Sequence, residues 1–228
     1  DMKLRNIRRH SLMDDMDLGV RVIAKNKMPF IPKYVRAPKN VKPVPGATSA
    51  VAYYPGCSLH STGSEYNVST KAVCEALEMH LVEPEGWLCC GSSAAHRSDP
   101  VEALRLPMEN LRLIEQGGFS EVTMPCAACF SRHKAAQYEI RHHKDHRDAL
   151  DKAMDYKYQD QVQVNTLIDT IYQRISPEGL SQKVKHKLDG MRVVCYYGCL
   201  LVRPVEYTGF DDDEDPQTMD KVMKALGA

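Results

Sequence analysis

No apolar run in these 228 residues approaches the roughly eighteen that a membrane-crossing helix needs. No apolar stretch opens the sequence, so no secretory signal is visible. An excess of charge of one sign is also missing. Thirty Lys and Arg stand against thirty Asp and Glu, which removes the general electrostatic reason to expect a nucleic-acid partner. The basic residues that do cluster, eleven Lys/Arg against four Asp in the first fifty positions, are not interleaved with aromatics as a nucleic-acid surface would be. Cysteine, by contrast, is not scarce. Eight cysteines in a chain without a secretory signal point to a reducing, cytoplasmic setting, with membrane association only through partners. There, clustered thiols serve metals or catalysis rather than structural disulfides.

Five of the eight form a pattern: Cys57, the adjacent pair Cys89-Cys90, then Cys126 and Cys129, separated by 31, 0, 35 and 2 residues. A lone CxxC such as Cys126–Cys129 is a weak signal, shared by zinc, redox and iron–sulfur sites. The adjacent pair narrows it. Neighbouring Cα atoms lie about 3.8 Å apart, which makes it awkward for both sulfurs to face one tetrahedral zinc. Five thiolates also exceed the four that one zinc or an ordinary cubane uses. A centre with several irons offers a separate atom to each sulfur. The competing readings are buried unreactive thiols and a non-enzymatic, zinc-stabilised scaffold, which elemental analysis would distinguish.

Short β-prone runs at Ala52–Tyr54, His80–Val82 and Glu121–Met124 alternate with helical patterns over 65–79, Pro100–Gln116 and about 127–141. Strand and helix in alternation predict an α/β fold with a largely parallel sheet. In such sheets sites gather beyond the carboxyl ends of strands. Cys57, Cys89-Cys90 and Cys126 each follow a predicted strand, so distant residues should meet at one edge. In the helix over 65–79, Val68, Ala72, Leu77 and Met79 fall near one face. Val162 to Ile175 reads as a packed helix. Residues 1–50, with five prolines, read as a basic, extended arm.

The words around the cysteines, YYPGCSLHST at 53–62, WLCCGSSAAH at 87–96, MPCAACFSRHK at 124–134 and VCYYGCLLVRP at 194–204, resemble the CCG motif of the B-type subunit of heterodisulfide reductase and its relatives. The resemblance covers about residues 51–228. It implies Rossmann-like α/β CCG domains, each holding a noncubane [4Fe-4S] cluster through five cysteines. Here these are Cys57, Cys89, Cys90, Cys126 and Cys129. It implies reductive cleavage of a disulfide, such as the coenzyme M–coenzyme B heterodisulfide, in a cleft between two such clusters. It also implies a heterodisulfide reductase complex with two partners, the flavin-bearing A-type and the ferredoxin-like C-type subunits. The arm at 1–50 would be a tail of the C-type kind. Related CCG subunits occur in succinate, glycolate and lactate oxidoreductases, so an iron–sulfur electron-transfer subunit is the alternative function.

An internal repeat agrees with two domains. Residues 53–59 are echoed at 196–201, offset by 142 at Cys57/Cys199, and residues 71–77 at 220–226, offset by 149. The expected organisation is a first CCG domain over 51–147, a helical connector over 148–190 and the start of a second, incomplete domain over 191–228. The repeat would place the second adjacent pair about ten residues beyond Ala228. Cys199 is then the first ligand of a second cluster, while Cys74 and Cys195 are expected as buried apolar side chains. His60 and His96 are candidate proton donors, and His133 a further imidazole near the motif. The run Arg141–Arg147 reads as a wet helix surface and Asp211–Asp215 as a solvated turn.

Overall fold

The computed structural model describes residues 50–92 and 99–228; the basic arm and His96 lie outside them. Alternating sequence makes the sheet. In β1 (Ala50–Tyr53) and β3 (Glu121–Met124), Ala52, Val122 and Met124, with Tyr54 just past β1, face one side of the sheet. Tyr53 points the other way and donates to Asn67 Oδ1 at 2.8 Å. With β2 (His80–Val82) and β4 (Gln163–Thr166) these strands form a four-stranded sheet in the order β2-β1-β3-β4, every neighbouring pair parallel. This is the parallel α/β architecture expected. Because β2 and β3 flank β1, the chain reverses its direction of travel across the sheet between β1 and β3, which makes a switch point there.

The connecting helices cover both faces. One face packs α3 (Pro100–Gln116), α4 (Ala127–His142) and α5 (Lys144–Met154) through Met108, Leu111, Ile114, Phe130 and Ile140. The other packs α2 (Ser64–Ala76), α6 (Leu167–Lys183) and α9 (Thr218–Ala225) through Cys74, Met79, Ile171, Leu180 and Val222. A short helix, α1 (Gly56–Leu59), follows β1, and α7 (Cys199–Val202) and α8 (Val205–Thr208) precede α9.

Local chemistry fixes the helix ends. Asp99 caps α3 by accepting from the N–H groups of Val101 and Glu102 at 2.8 and 3.2 Å, and Pro100 takes the first turn, where no N–H is needed. Pro107 inside α3 leaves the carbonyl of Ala103 without its helical donor, and Arg132 Nη2 from α4 supplies one at 3.0 Å. Thr166 Oγ1 caps α6 through the Asp169 N–H at 3.1 Å.

Three expectations are corrected. Val162 to Ile175 is not one helix: Gln163–Thr166 is the strand β4, paired residue for residue with Glu121–Met124, and α6 begins only at Leu167. The alternation of Val162 and Val164 carries the strand period, and strand pairing outweighs the helical pattern that runs on behind it. In α2 the packed face is Thr70 and Cys74, and Val68 (70% exposed) and Ala72 face outward; only Leu77 and Met79 of the expected stripe pack inward. Cys195 is half-buried rather than a core side chain, because residues 191–198 form no strand and the thiol lies beside Asp220. Cys74 is buried as expected.

Glu115 at the end of α3 holds the loop that leads to β4. Its carboxylate accepts from Tyr156 Oη at 2.6 Å and from the N–H groups of Gln159 and Gln161 at 3.1 and 3.4 Å. We expect Glu115→Ala to cost about 2 kcal/mol, the scale of hydrogen bonds to a charged group. In a chain of this size that lowers the melting temperature by about 6 °C, read by calorimetry.

Candidate metal centre

Three loops at the carboxyl ends of β1, β2 and β3 bring the five motif thiols together. The first turns at Gly56, whose φ of +72° is open to glycine at little cost. A Cβ on Gly56 would sit 2.7 Å from Cys129 Sγ, so this residue's bareness makes room for a sulfur from another loop. Cys57 follows, exposed, in α1. The second loop carries Cys89 and Cys90 and bends at Gly91, φ +74°. The third ends β3 at Pro125 and presents Cys126 as the residue capping α4, with Cys129 one turn on.

The sulfurs form a continuous series. Cys57 Sγ lies 3.8 Å from Cys89 Sγ, and Cys90 Sγ lies 3.5 Å from Cys129 Sγ. Backbone adjacency joins Cys89 to Cys90, and a thiol hydrogen bond joins Cys129 to Cys126. The outer pair, Cys57 and Cys89, is exposed; Cys90 and Cys129 are buried and Cys126 is intermediate. The site therefore has a solvent side and a protein side.

Proton sharing divides the thiols into donors and acceptors. The hydrogen bond from Cys129, helped by the N–H groups of Cys129 and Ala128, pulls Cys126 down to about 6 against the effect of burial. Cys90 is held well below the usual thiol range, first by the Cys129 thiol and then by the Cys89 thiol. Cys89, beside Cys90, and Cys129, beside Cys126 and Cys90, are correspondingly raised. Negative charge on sulfur is thus concentrated in a partly buried pocket, a donor set that suits a cationic, thiophilic group. Among the described residues no group of three His, Cys, Asp or Glu side chains is arranged to hold a metal ion. The sulfurs are strung along three loops instead of gathered about one point.

Sequence reasoning missed the residues beneath the sulfurs. Asn110, buried in α3, accepts from the Leu88 N–H at 2.7 Å and donates to the Leu88 carbonyl at 3.0 Å. Tyr54 Oη donates to the same carbonyl at 2.6 Å. Burial, and then the charges of Cys129, Cys90, Cys89 and Cys57, push the Tyr54 phenol far above its ordinary range, so it stays a donor. The Tyr54 ring meets Trp87 and His133 edge-on, at centroid distances of 5.2 and 4.9 Å. A polar residue in the apolar stripe of the α3 pattern was the one available signal for Asn110.

Of the imidazoles, His133 is fully buried. Its Nδ1–H donates to the Cys129 carbonyl at 2.7 Å, and its Nε2 accepts from Asn110 at 3.3 Å. Burial lowers it to about 4, so it is neutral near pH 7. His60 is exposed on the solvent side, 2.9 Å from Glu83 and edge-on to Trp87 at 5.1 Å. Cys199 is exposed at the start of α7 and is not among the sulfurs in contact above.

A doubly covered parallel sheet with five thiols on three consecutive strand-end loops defines a cysteine-cluster domain of the α/β class. Residues 51–132 match the CCG family, a cysteine-rich domain. The chain is 34% identical over 178 residues to the 8-methylmenaquinol:fumarate reductase membrane anchor subunit of Wolinella succinogenes, covering 78% of this chain and 62% of that protein. It is 25% identical over 182 residues to the B-type subunit of the ferredoxin/F(420)H(2)-dependent CoB-CoM heterodisulfide reductase of Methanosarcina acetivorans, covering 78% and 60%. It is also 25% identical over 179 residues to an Archaeoglobus profundus protein that is itself like the B-type subunit of heterodisulfide reductase, covering 76% and 60%. The chain spans about three fifths of the length of these relatives. Over residues 51–132 it carries the CCG cysteine-rich domain, and over about three quarters of its length it resembles these oxidoreductase subunits. No helix among the described residues is long and apolar enough to cross a membrane.

Proposed function

We propose that Cys57, Cys89, Cys90, Cys126 and Cys129 hold a noncubane [4Fe-4S] cluster, and that the chain is the iron–sulfur subunit of an oxidoreductase complex. The observation that supports this most is the gathering of five thiols on three neighbouring loops, with sulfur contacts of 3.8 Å between Cys57 and Cys89 and 3.5 Å between Cys90 and Cys129. Bound there, such a cluster would supply one-electron chemistry next to solvent. The chain's own part is to hold its inner sulfurs, Cys90 and Cys129, away from water and to leave Cys57 and Cys89 open. His60, oriented by Glu83, would carry a proton at Nε2 on the open side. Glu83 also faces Lys71 at 3.5 Å and the Trp87 Nε1–H at 2.9 Å, which keeps the carboxylate in place.

Two complexes fit. The fumarate reductase subunit, the more similar relative at 34% against 25%, favours an electron relay within a quinol- or succinate-type enzyme. The heterodisulfide reductase relatives, together with the exposure of Cys57 and Cys89, favour reduction of a disulfide substrate with flavin and ferredoxin-like partners. Cys199 would then open a second cysteine motif. Purified complex, reduced and offered either fumarate or the coenzyme M–coenzyme B disulfide, separates the two by which compound reoxidises it. Zinc in place of iron and acid-labile sulfide in the purified protein would defeat both.

A further inference from the structure

We propose that Tyr54 and Asn110 are positioning residues that set the reduction potential of whatever redox group the five sulfurs hold, by fixing the Leu88 peptide. This rests on the cluster reading above. Leu88 directly precedes the adjacent cysteines and lies in no strand or helix. Its peptide groups are nevertheless fully engaged, by side chains from two other elements. Its N–H reaches Asn110 Oδ1 at 2.7 Å, and its carbonyl takes both Tyr54 Oη at 2.6 Å and Asn110 Nδ2 at 3.0 Å. Both clamping side chains are almost entirely buried, at 0% and 1% exposure.

The reason to place so much buried polarity here lies just downstream. The N–H groups of Gly91 and Ser92, in the turn after the pair, favour the negative forms of the Cys89 and Cys90 sulfurs. N–H groups beside ligand sulfurs favour the more negative, reduced state of a sulfur-ligated group and so raise its potential. They depend on where the turn sits, and the turn hangs from Leu88. The clamp also extends to the third loop. Asn110 reaches His133 Nε2, and His133 Nδ1–H holds the carbonyl of Cys129, so two of the cysteine loops are registered against each other through one buried relay. A clamp that only closed a loop would not need to reach the CxxC helix.

The test compares the purified full-length chain with Tyr54→Phe, which removes one hydroxyl, and Asn110→Ala, which removes both bonds to Leu88. Tyr158→Phe serves as a control: Tyr158 is equally buried, and its hydroxyl accepts from Gln137 at 3.2 Å. Iron and sulfide content should match wild type in Tyr54→Phe. The midpoint potential should move to more negative values in Tyr54→Phe and further in Asn110→Ala, and stay put in Tyr158→Phe. Amide exchange in a peptide spanning residues 83–92 should quicken about tenfold in Asn110→Ala, the effect of losing a buried hydrogen bond on local opening. Exchange needs no cluster, so it tests the clamp even if wild-type protein proves to hold no iron, a result that would sink the cluster reading alone. An unchanged potential in both iron-loaded site variants overturns the proposal, as does an equal shift in Tyr158→Phe.

Discussion

Cys90→Ala should purify without iron or acid-labile sulfide and without visible absorption, while Cys74→Ala keeps all three. Cys90 occupies the centre of the sulfur series. It contacts Cys129 at 3.5 Å, adjoins Cys89 along the chain, and is held as a thiolate by both. Removing it parts the outer sulfurs from those of the third loop, so no remaining subset spans the site. Cys74 is buried too, but it sits on the opposite face of the sheet among Met79, Ile171 and Leu180. Its loss deletes one small apolar group and should cost about 1 kcal/mol. Metal analysis and an absorption spectrum of the two proteins, prepared side by side without oxygen, give the answer. Full iron in Cys90→Ala would remove the assignment of the site.

Gly56→Ala should damage the site from a residue that contributes no side chain. Two penalties coincide there. The backbone has φ +72°, where an L side chain costs about 1–2 kcal/mol. The new methyl would lie 2.7 Å from Cys129 Sγ, far inside contact distance. Relief comes from Cys129 Sγ rotating away, from α1 swinging outward with Cys57 or from α4 retreating with Cys129, and each movement separates the sulfurs. We expect a total destabilisation of about 2–4 kcal/mol and iron content well below wild type. Gly86→Ala is the matching control. It also has positive φ, +79°, but its added methyl meets nothing within 4 Å. Equal iron loss in the two variants would show that strain alone, and not the encroachment on Cys129, is responsible.

Much of this site could be read from the residue order because its chemistry is carried by rare side chains at fixed places. Each cysteine group follows a short β-prone run, and parallel strands bring the ends of such runs to one edge. The helix from Pro100 to Gln116 was equally legible, since Asp99, Pro100 and Gly117 mark both ends. What stayed hidden depends on contacts between elements. β4 exists because Gln163–Thr166 pairs with β3, and the short alternation of Val162 and Val164 does not by itself mark it off from the helical pattern behind it. Asn110 and Tyr54 matter because of where Leu88 lies, a relation across 22 and 34 residues of sequence. His133 was one of three imidazoles noted after the motif cysteines, and only its burial shows that it serves as a neutral strut and not as a proton source. The outward turn of Val68 likewise follows from which side of α2 meets the sheet.

The stretch from Met191 to Gly198 runs without a strand or helix of its own, and it leaves Val194 93% and Tyr196 84% exposed. β-branched and aromatic residues on bare backbone form an adhesive ribbon, ready to zip onto any similar ribbon nearby. We expect self-association of this chain to rise with protein concentration and to fall in Val194→Lys, read by light scattering.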